Sequence, residues 1–263
     1  GLELLLEKGM PSNKDEAWRL CNFNRLNSFL SLPMIINSKD IKYKSKSIFP
    51  KKDQNRERII ITPNKNPILN IDLPNGIEKL NDKEIKENLG KIVKLTNIKD
   101  DISVCLNQAS SSELLALKVK KNSTQSLEIV IPSIEGKSIS TRIFLLIEEG
   151  AKLDLLQVFL GNNHSAQNHL IEIKLESKVE LTHGLISLCE EKESSSICTL
   201  AVDQSKKSKY SLHSIHCGWD YARLEPRIIQ REGEASTIIK GLQITQSKEQ
   251  IATHSLIRFE GPN

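Results

Sequence analysis

Ile171-Glu172-Ile173-Lys174-Leu175 and, shortly after it, Val179-Glu180-Leu181 alternate apolar and charged side chains with a period of two. Successive side chains of an extended chain point to opposite faces, so this alternation marks strands with one face on a core and one on a polar surface. Short apolar runs continue on both sides. Upstream lie Leu114 to Val119, Leu127 to Ile131, Ile143 to Ile147 and Leu153 to Leu160, with Leu170 to Leu175 holding the first alternation. Downstream come Val179 to Leu188, Ile197 to Val202, Tyr210 to Cys217, Leu224 to Ile229, Ile238 to Ile244 and Ile251 to Phe259. No helical periodicity interrupts them, so everything after Ser111 is expected to be β structure. Their spacing of roughly 10–14 residues suits a sandwich, a barrel or a β-solenoid. Two features lean toward the solenoid: no Asn-Gly or Asp-Gly hairpin pair follows Ser111, and the runs are nearly uniform in length.

The first part of the chain reads differently. Leu2, Leu5 and Leu6 form a helical stripe that Gly9 and Pro11 stop, and Ser12 with Asp15 has capping-box spacing ahead of Glu16-Ala17-Trp18-Arg19. From Ser31 to Gly76 the chain is rich in Pro, Asn, Lys and Ser, a long irregular connector with one strand at Arg58 to Thr62. Helical periodicity is expected again over 77–110: Ile77, Leu80 and Ile85 to Leu89 with Gly90 as C-cap, then Ile102, Leu106 and Ala109. The expected organisation is a helical region with an irregular connector over 1–110 and a β core over 111–263.

Composition narrows the classes. The 263 residues are 38% hydrophobic, 27% charged and 4% aromatic, which excludes wholesale disorder, collagen and a small disulfide scaffold. Ile143 to Ile147, the longest candidate apolar stretch, falls far short of the roughly 18 residues that span a bilayer. With 37 Lys+Arg against 33 Asp+Glu the net charge is +4, too small an excess to imply a polyanion partner. Lys39, Lys42, Lys44, Lys46, Lys51 and Lys52 cluster among Ser, Asn and Asp, as in a solvated segment rather than a nucleic-acid patch. Cys21, Cys105, Cys189, Cys198 and Cys217 are odd in number and far apart, which points to free thiols in a reducing compartment, cytosol or organelle matrix. The start at Gly1, without a signal-peptide pattern, is expected to be a trimmed end.

A search for chemistry yields little. His213, His216 and Cys217 share one strand, but His213 and His216 diverge to opposite faces, as do His216 and Cys217. His213 and Cys217 share a face yet stand about 13 Å apart, too far for one metal. His164 and His169 flank a polar turn with Asn162, Asn163 and Asn168 and read as surface loop residues; His183 and His254 are lone strand histidines without a carboxylate on their face. Trp18 is expected to pack a helix, and Trp219 to cap a core edge. There is no G-x-S-x-G, G-x-x-x-x-G-K-[ST], G-x-G-x-x-G or C-x-x-C. No catalytic, cofactor-binding or metal residue is therefore assigned, and the chain is not expected to be an enzyme.

Several segments in order resemble one family. Gly9-Met-Pro-Ser-Asn-Lys14-Asp-Glu16-Ala-Trp18-Arg19 is similar to its G-x-P-…-K-x-E-x-W-[KR], and Val104-Cys-Leu106-Asn107-Gln-Ala109 to its "LNxA" helix. Glu149-Gly-Ala151, Ala222-Arg223-Leu224-Glu225, Gly241-Leu242 and Thr253-His254-Ser255 are similar to a glutamate-x-Ala turn, a strand carrying an arginine, a "GL/GY" element and a "D-x-H-T" element. The family is the SufB/SufD family of the SUF iron–sulfur assembly system, and the SufD branch in particular. The chain departs from it at Ser111-Ser112, where a turn carries Asp-Gly, and at Ala252, where an acidic residue is expected to pair with His254. It ends at Asn263, before a further "S-x-Q-x-x-K" segment, the last rungs and a C-terminal helical domain, so the resemblance implies truncation.

The resemblance implies a right-handed parallel β-helix behind a small helical N-terminal region. It implies a non-catalytic scaffold pairing with a SufB-like paralogue and, through the missing C-terminal part, a SufC-like ABC ATPase. The chain alone would bind no cofactor, the iron–sulfur cluster residing transiently on the complex, in the cytoplasm or in a plastid stroma. An open strand edge near residue 259 is expected to join other chains, a homodimer included. The competing reading is a β-solenoid polysaccharide-active enzyme, which needs paired carboxylates and aromatic sugar platforms. A nucleic-acid binder acting through the lysine cluster is a third, and neither nucleic acid nor membrane is expected as a partner.

Overall fold

The computed structural model of the chain describes residues 3, 6, 7, 9, 11, 12, 14–34, 51–62, 73–111, 114–190 and 193–261. Leu2 and Leu5 of the first expected helix, and Lys39, Lys42, Lys44 and Lys46 of the lysine cluster, lie outside these residues. Lys51 and Lys52 are exposed, and Lys52 faces Glu57 at 3.7 Å.

The N-terminal helices are short, and capping side chains mark where they start. Ser12 N–H donates to Asp15 Oδ2 at 2.6 Å, one half of the expected capping box, but only a 3₁₀ turn follows at Glu16–Trp18. Helix α1 (Phe23–Ser31) starts instead at Asn22, whose side chain accepts from Arg25 N–H. Strand β1 (Glu57–Ile60) sits inside the connector. The expected helix from Ile77 is corrected by the structure: Ile77–Lys79 is strand β2, antiparallel to β3, with Ile77 buried in the core. Helix α2 (Asp82–Asn88) starts only where Asn81 and Glu84 form a reciprocal capping box at 2.9 Å each way. Gly90, at φ +79°, separates it from α3 (Lys91–Leu95), and Asp101 caps α4 (Ile102–Ser110).

Strands then follow without a helix between them. They are β3 (Leu114–Val119), β4 (Thr124–Pro132), β5 (Ser138–Ile147), β6 (Lys152–Leu160), β7 (Ala166–Leu175) and β8 (Glu180–Leu188). Next come β9 (Ser195–Gln204), β10 (Lys209–Cys217), β11 (Tyr221–Gln230), β12 (Ser236–Ile244), β13 (Gln250–Thr253) and β14 (Leu256–Phe259). The chain alternates between two sheets, ordered β1-β4-β6-β8-β10-β12 and β13-β11-β9-β7-β5-β3-β2, with β14 beside β11. All the pairs except β2·β3 are parallel, so the molecule is a β-solenoid of about five turns, neither a hairpin sandwich nor a barrel.

Register fixes the length of a turn. Thr124 pairs with Lys152, Glu180 with Lys209 and Ser195 with Tyr221, so each turn consumes 26 to 29 residues. The corners repeat with it: Asn122, Gly150, Lys178, Lys207 and Glu234 all take positive φ at one corner. Alternation then sorts the side chains, and Leu127, Ile129, Ile131, Ile143, Leu155, Ile171, Leu200 and Ile228 form an apolar core between the sheets. Burying that interior is what holds the coil together, at roughly 25 cal/mol per Å² of apolar surface.

The outer faces of the two sheets differ. On the β5-β7-β9-β11 face, Val93 and Val104 pack on Phe144, Leu170 and Ala201, while Trp18 and Leu26 pack on Ala166, Ile197 and Tyr221. On the other face Leu188, Ile215, Leu242 and Ile244 are all exposed by more than a third. At the last turn Leu256 is 51% and Phe259 64% exposed, so no described residue caps the coil there. No helix among the described residues is long and apolar enough to cross a membrane.

Candidate functional site

Of the segments similar to family motifs, those around Asn107, Arg223 and His254 meet on the helix-covered face, whereas Gly241-Leu242 belongs to β12 of the other sheet and Glu149-Gly150-Ala151 to a corner. Asn107, from Leu106-Asn107-Gln108-Ala109, projects from α4 and donates through Nδ2 to the Thr141 carbonyl (2.9 Å) and the Asn168 carbonyl (3.0 Å) of adjacent turns. Asn168 donates back to the Ser103 carbonyl at 3.0 Å, and Ser103 Oγ meets Thr199 Oγ1 at 3.0 Å. One helix thus ties three turns together. Glu149-Gly150-Ala151 forms a corner with Gly150 at φ +70°, where Glu149 meets Lys121 at 2.7 Å.

A charged cluster lies at the end of this face. Outward-facing Arg223, Glu225 and Arg227 of β11 are each buried, and His254 enters from the break between β13 and β14, the next turn. Arg223 Nε donates to Glu225 Oε1 at 2.7 Å, its Nη2 to the Ala17 carbonyl at 2.7 Å, and its guanidinium lies 4.3 Å from the Trp18 ring centre. Arg227 and Arg223 both donate toward His254 Nδ1, at 2.9 and 3.3 Å, which makes that nitrogen an acceptor and places the imidazole proton on Nε2. Burial pushes the Glu225 carboxyl up, but the nearby His254 and the charges of Arg223 and Arg227 outweigh it and hold the group below its ordinary value. Asp101, behind the cluster, is shifted up by burial and by the charge of Glu225.

The cluster also anchors the N-terminal segment along the coil axis. Arg25 bonds the Asp220 carbonyl, Asn22 N–H donates to Gln250 Oε1 at 2.9 Å, and Cys21 Sγ stands 3.1 Å from Tyr221 OH. Beside α1 a cleft of about 440 Å³ carries Arg25, His164, Glu193 and Asp220.

The histidines fall in three environments. His213 is exposed and His216 buried, on opposite faces of β10 as the alternation requires. His164 is an exposed corner residue 3.2 Å from Glu193, but His169 and Asn168, expected on the same loop, belong to β7 and are buried. The loop is shorter than its polar sequence suggests because Gln167 and His169 turn into the coil. There His169 bonds Thr141 Oγ1 at 2.7 Å and Gln167 Oε1 at 3.1 Å and stacks on Phe159. His183 bonds Tyr210 OH at 3.1 Å and Gln157 Oε1 at 2.8 Å. Burial lowers both pKa values to about 3, so each ring is neutral. His254 does have a carboxylate neighbour: Glu225 Oε1, at 3.9 Å, comes from the adjacent turn instead of from its own strand. Trp18 packs beneath the N-terminal segment, and Trp219 is fully buried. Among the described residues no three His, Cys, Asp or Glu side chains are placed to hold a metal.

These features describe a coil braced by helices along one face, with a buried charged cluster on that face. Residues 130–263, from β4 to the end, match the family described as "SUF system FeS cluster assembly, SufBD core domain". Comparisons with curated proteins and with solved structures gave no match. With just over half of its length matched, all of it within the coil, the chain belongs to the SufBD core-domain family of the SUF iron–sulfur assembly system.

Proposed function

We propose that the chain is a SufD-like, non-catalytic scaffold subunit that pairs with a SufB-like paralogue and works with a SufC-like ATPase. In this reading the iron–sulfur cluster is cargo of the complex, and the chain contributes shape: a rigid coil, braced along one face. One observation carries the reading. The family match falls on the parallel coil itself, which α4 braces across three turns through Asn107, Asn168 and Ser103.

The test is coexpression of the full-length protein with the SufB-like and SufC-like proteins of its own organism, followed by size-exclusion chromatography with mass determination. A stable complex containing all three is expected. A full-length protein that elutes alone, or only as a homodimer, in the presence of both partners refutes the pairing.

A further inference from the structure

Three buried polar atoms near one corner of the coil have no hydrogen-bond partner among the described residues: Ser187 Oγ, His216 Nε2 and Trp219 Nε1. Ser187 and His216 are register partners in β8 and β10, and the alternation of burial along both strands turns them into the coil. Trp219 follows β10, fully buried, with its ring close over Gly161 and beside Cys189. A buried polar group left unpaired costs about 1–3 kcal/mol, and native interiors leave few of them. The apolar neighbours of the indole, Gly161, Cys189, Ala222 and Ile251, offer it no side-chain oxygen or nitrogen.

The chemistry of the three groups specifies what satisfies them. The indole N–H only donates, the serine hydroxyl donates and accepts, and the neutral imidazole does one or the other at Nε2. Burial lowers the His216 pKa to about 4, so the ring carries no charge at neutral pH. Among the described residues no three His, Cys, Asp or Glu side chains are placed to hold a metal ion, which disfavours a cation. The molecule that fits is small, uncharged, and both donor and acceptor. We infer that this corner is an internal binding site for water, bridging Ser187, His216 and Trp219 from inside the coil.

The position agrees with how the interior changes along the axis. At β4 the inward side chains are Leu127, Ile129 and Ile131; by β8 they include His183 and Ser187, and by β10 Tyr210, Ser214 and His216. Polar interiors of this kind use buried water at about one molecule per 27 residues, each typically making about three hydrogen bonds.

A high-resolution crystal structure of the full chain tests the site, together with water-to-amide NMR transfer read at the Trp219 indole proton. Ordered solvent hydrogen-bonded to at least two of the three atoms, and a water cross-peak at that proton, are expected. Ser187→Val, which fills the space with a methyl group, is expected to remove both; should valine prevent folding, Ser187→Ala is expected to weaken the cross-peak instead. A direct Ser187 Oγ–His216 Nε2 hydrogen bond with no solvent between them, or an indole proton without a water cross-peak in the unmodified protein, overturns the assignment.

Discussion

On the outer face of β7, Glu172 is fully buried: it accepts from Gly90 N–H at 2.9 Å and from Arg142 Nη2 at 3.0 Å. On the outer face of β8, the next strand in the chain but on the opposite sheet, Glu180 stands in solvent between Lys152 at 3.3 Å and Lys209 at 3.2 Å. Both glutamates are outward residues of parallel strands in the same coil, and both bond across turns. Helices cover one and not the other. Under α3 and α4 a charge must be paired, because desolvation is expensive and an unpaired buried ion costs several kcal/mol. On the open face the ladder is screened, and its geometry carries little energy. The buried face is therefore where the coil is locked into one cooperative unit, since a solenoid otherwise couples only neighbouring turns.

The comparison breaks most visibly at Glu172. Glu172→Ala leaves Arg142 without its carboxylate and Gly90 N–H without an acceptor, and should cost about 3–5 kcal/mol, read as a lower midpoint in urea unfolding. An effect below about 1 kcal/mol would mean that the covered face is no more demanding than the open one.

Acid probes the coil's interior against both faces. His169 and His183 are neutral when folded, with pKa values lowered from 6.5 to about 3. The unfolded chain therefore binds more protons than the folded one between these limits. Stability from this source is complete above pH 6.5 and falls as the pH drops toward 3. By pH 5 the loss should approach about 2 kcal/mol per histidine. His169→Gln and His183→Gln should flatten the profile, whereas Lys209→Ala on the open face should leave its shape between pH 6.5 and 5 unchanged.

Corners offer the next contrast. Lys178 and Lys207 adopt positive φ at exposed corners, where L residues are tolerated at modest cost. Gly218, at φ +76°, has no such room: a Cβ there would lie 1.8 Å from the Cys189 carbonyl oxygen. Gly218→Ala should destabilise by at least about 1–3 kcal/mol in thermal unfolding, while Lys178→Gly should change stability by about 1 kcal/mol or less.

The strands were legible because alternation such as Ile171-Glu172-Ile173 survives in any strand with one buried face. Their parallel pairing was legible only as a leaning, drawn from the missing hairpin dipeptides. Turn length stayed hidden because the residues at the repeating corners, Asn122, Gly150, Lys178, Lys207 and Glu234, share a backbone conformation and not a residue type. Ile77 reads as helical in the sequence because three strand residues are too few to show a period, and the helix starts only at Asn81. The Arg223–Glu225–Arg227–His254 cluster was half visible. Arg223 and Glu225 stood in a motif-like segment, but the match of His254 to Glu225 depends on an offset of one turn, which no single strand displays. Applying the 26–29-residue register to the charged residues is the signal that finds it.

The smallest effect is expected on the open face, and it is the sharpest test of the comparison because it predicts near-equality. Glu180 holds its carboxyl below the ordinary value through hydrogen bonds from Lys209 and Lys152, so by geometry alone the ladder looks as complete as the one around Glu172. Its side chain is nevertheless 43% exposed, and those of Lys152 and Lys209 are 58% and 66% exposed. Water and salt screen such pairs, and holding two long lysine side chains in one geometry offsets part of the attraction. A double-mutant cycle with Glu180→Ala and Lys209→Ala should give a coupling of about 0.5 kcal/mol or less, shrinking further as salt is raised. The same cycle at Glu172 and Arg142 should give a coupling several times larger and nearly independent of salt, because helices exclude the ions that screen the first pair. Equal couplings would show that cover by α3 and α4 does not set the energetic difference between the two faces.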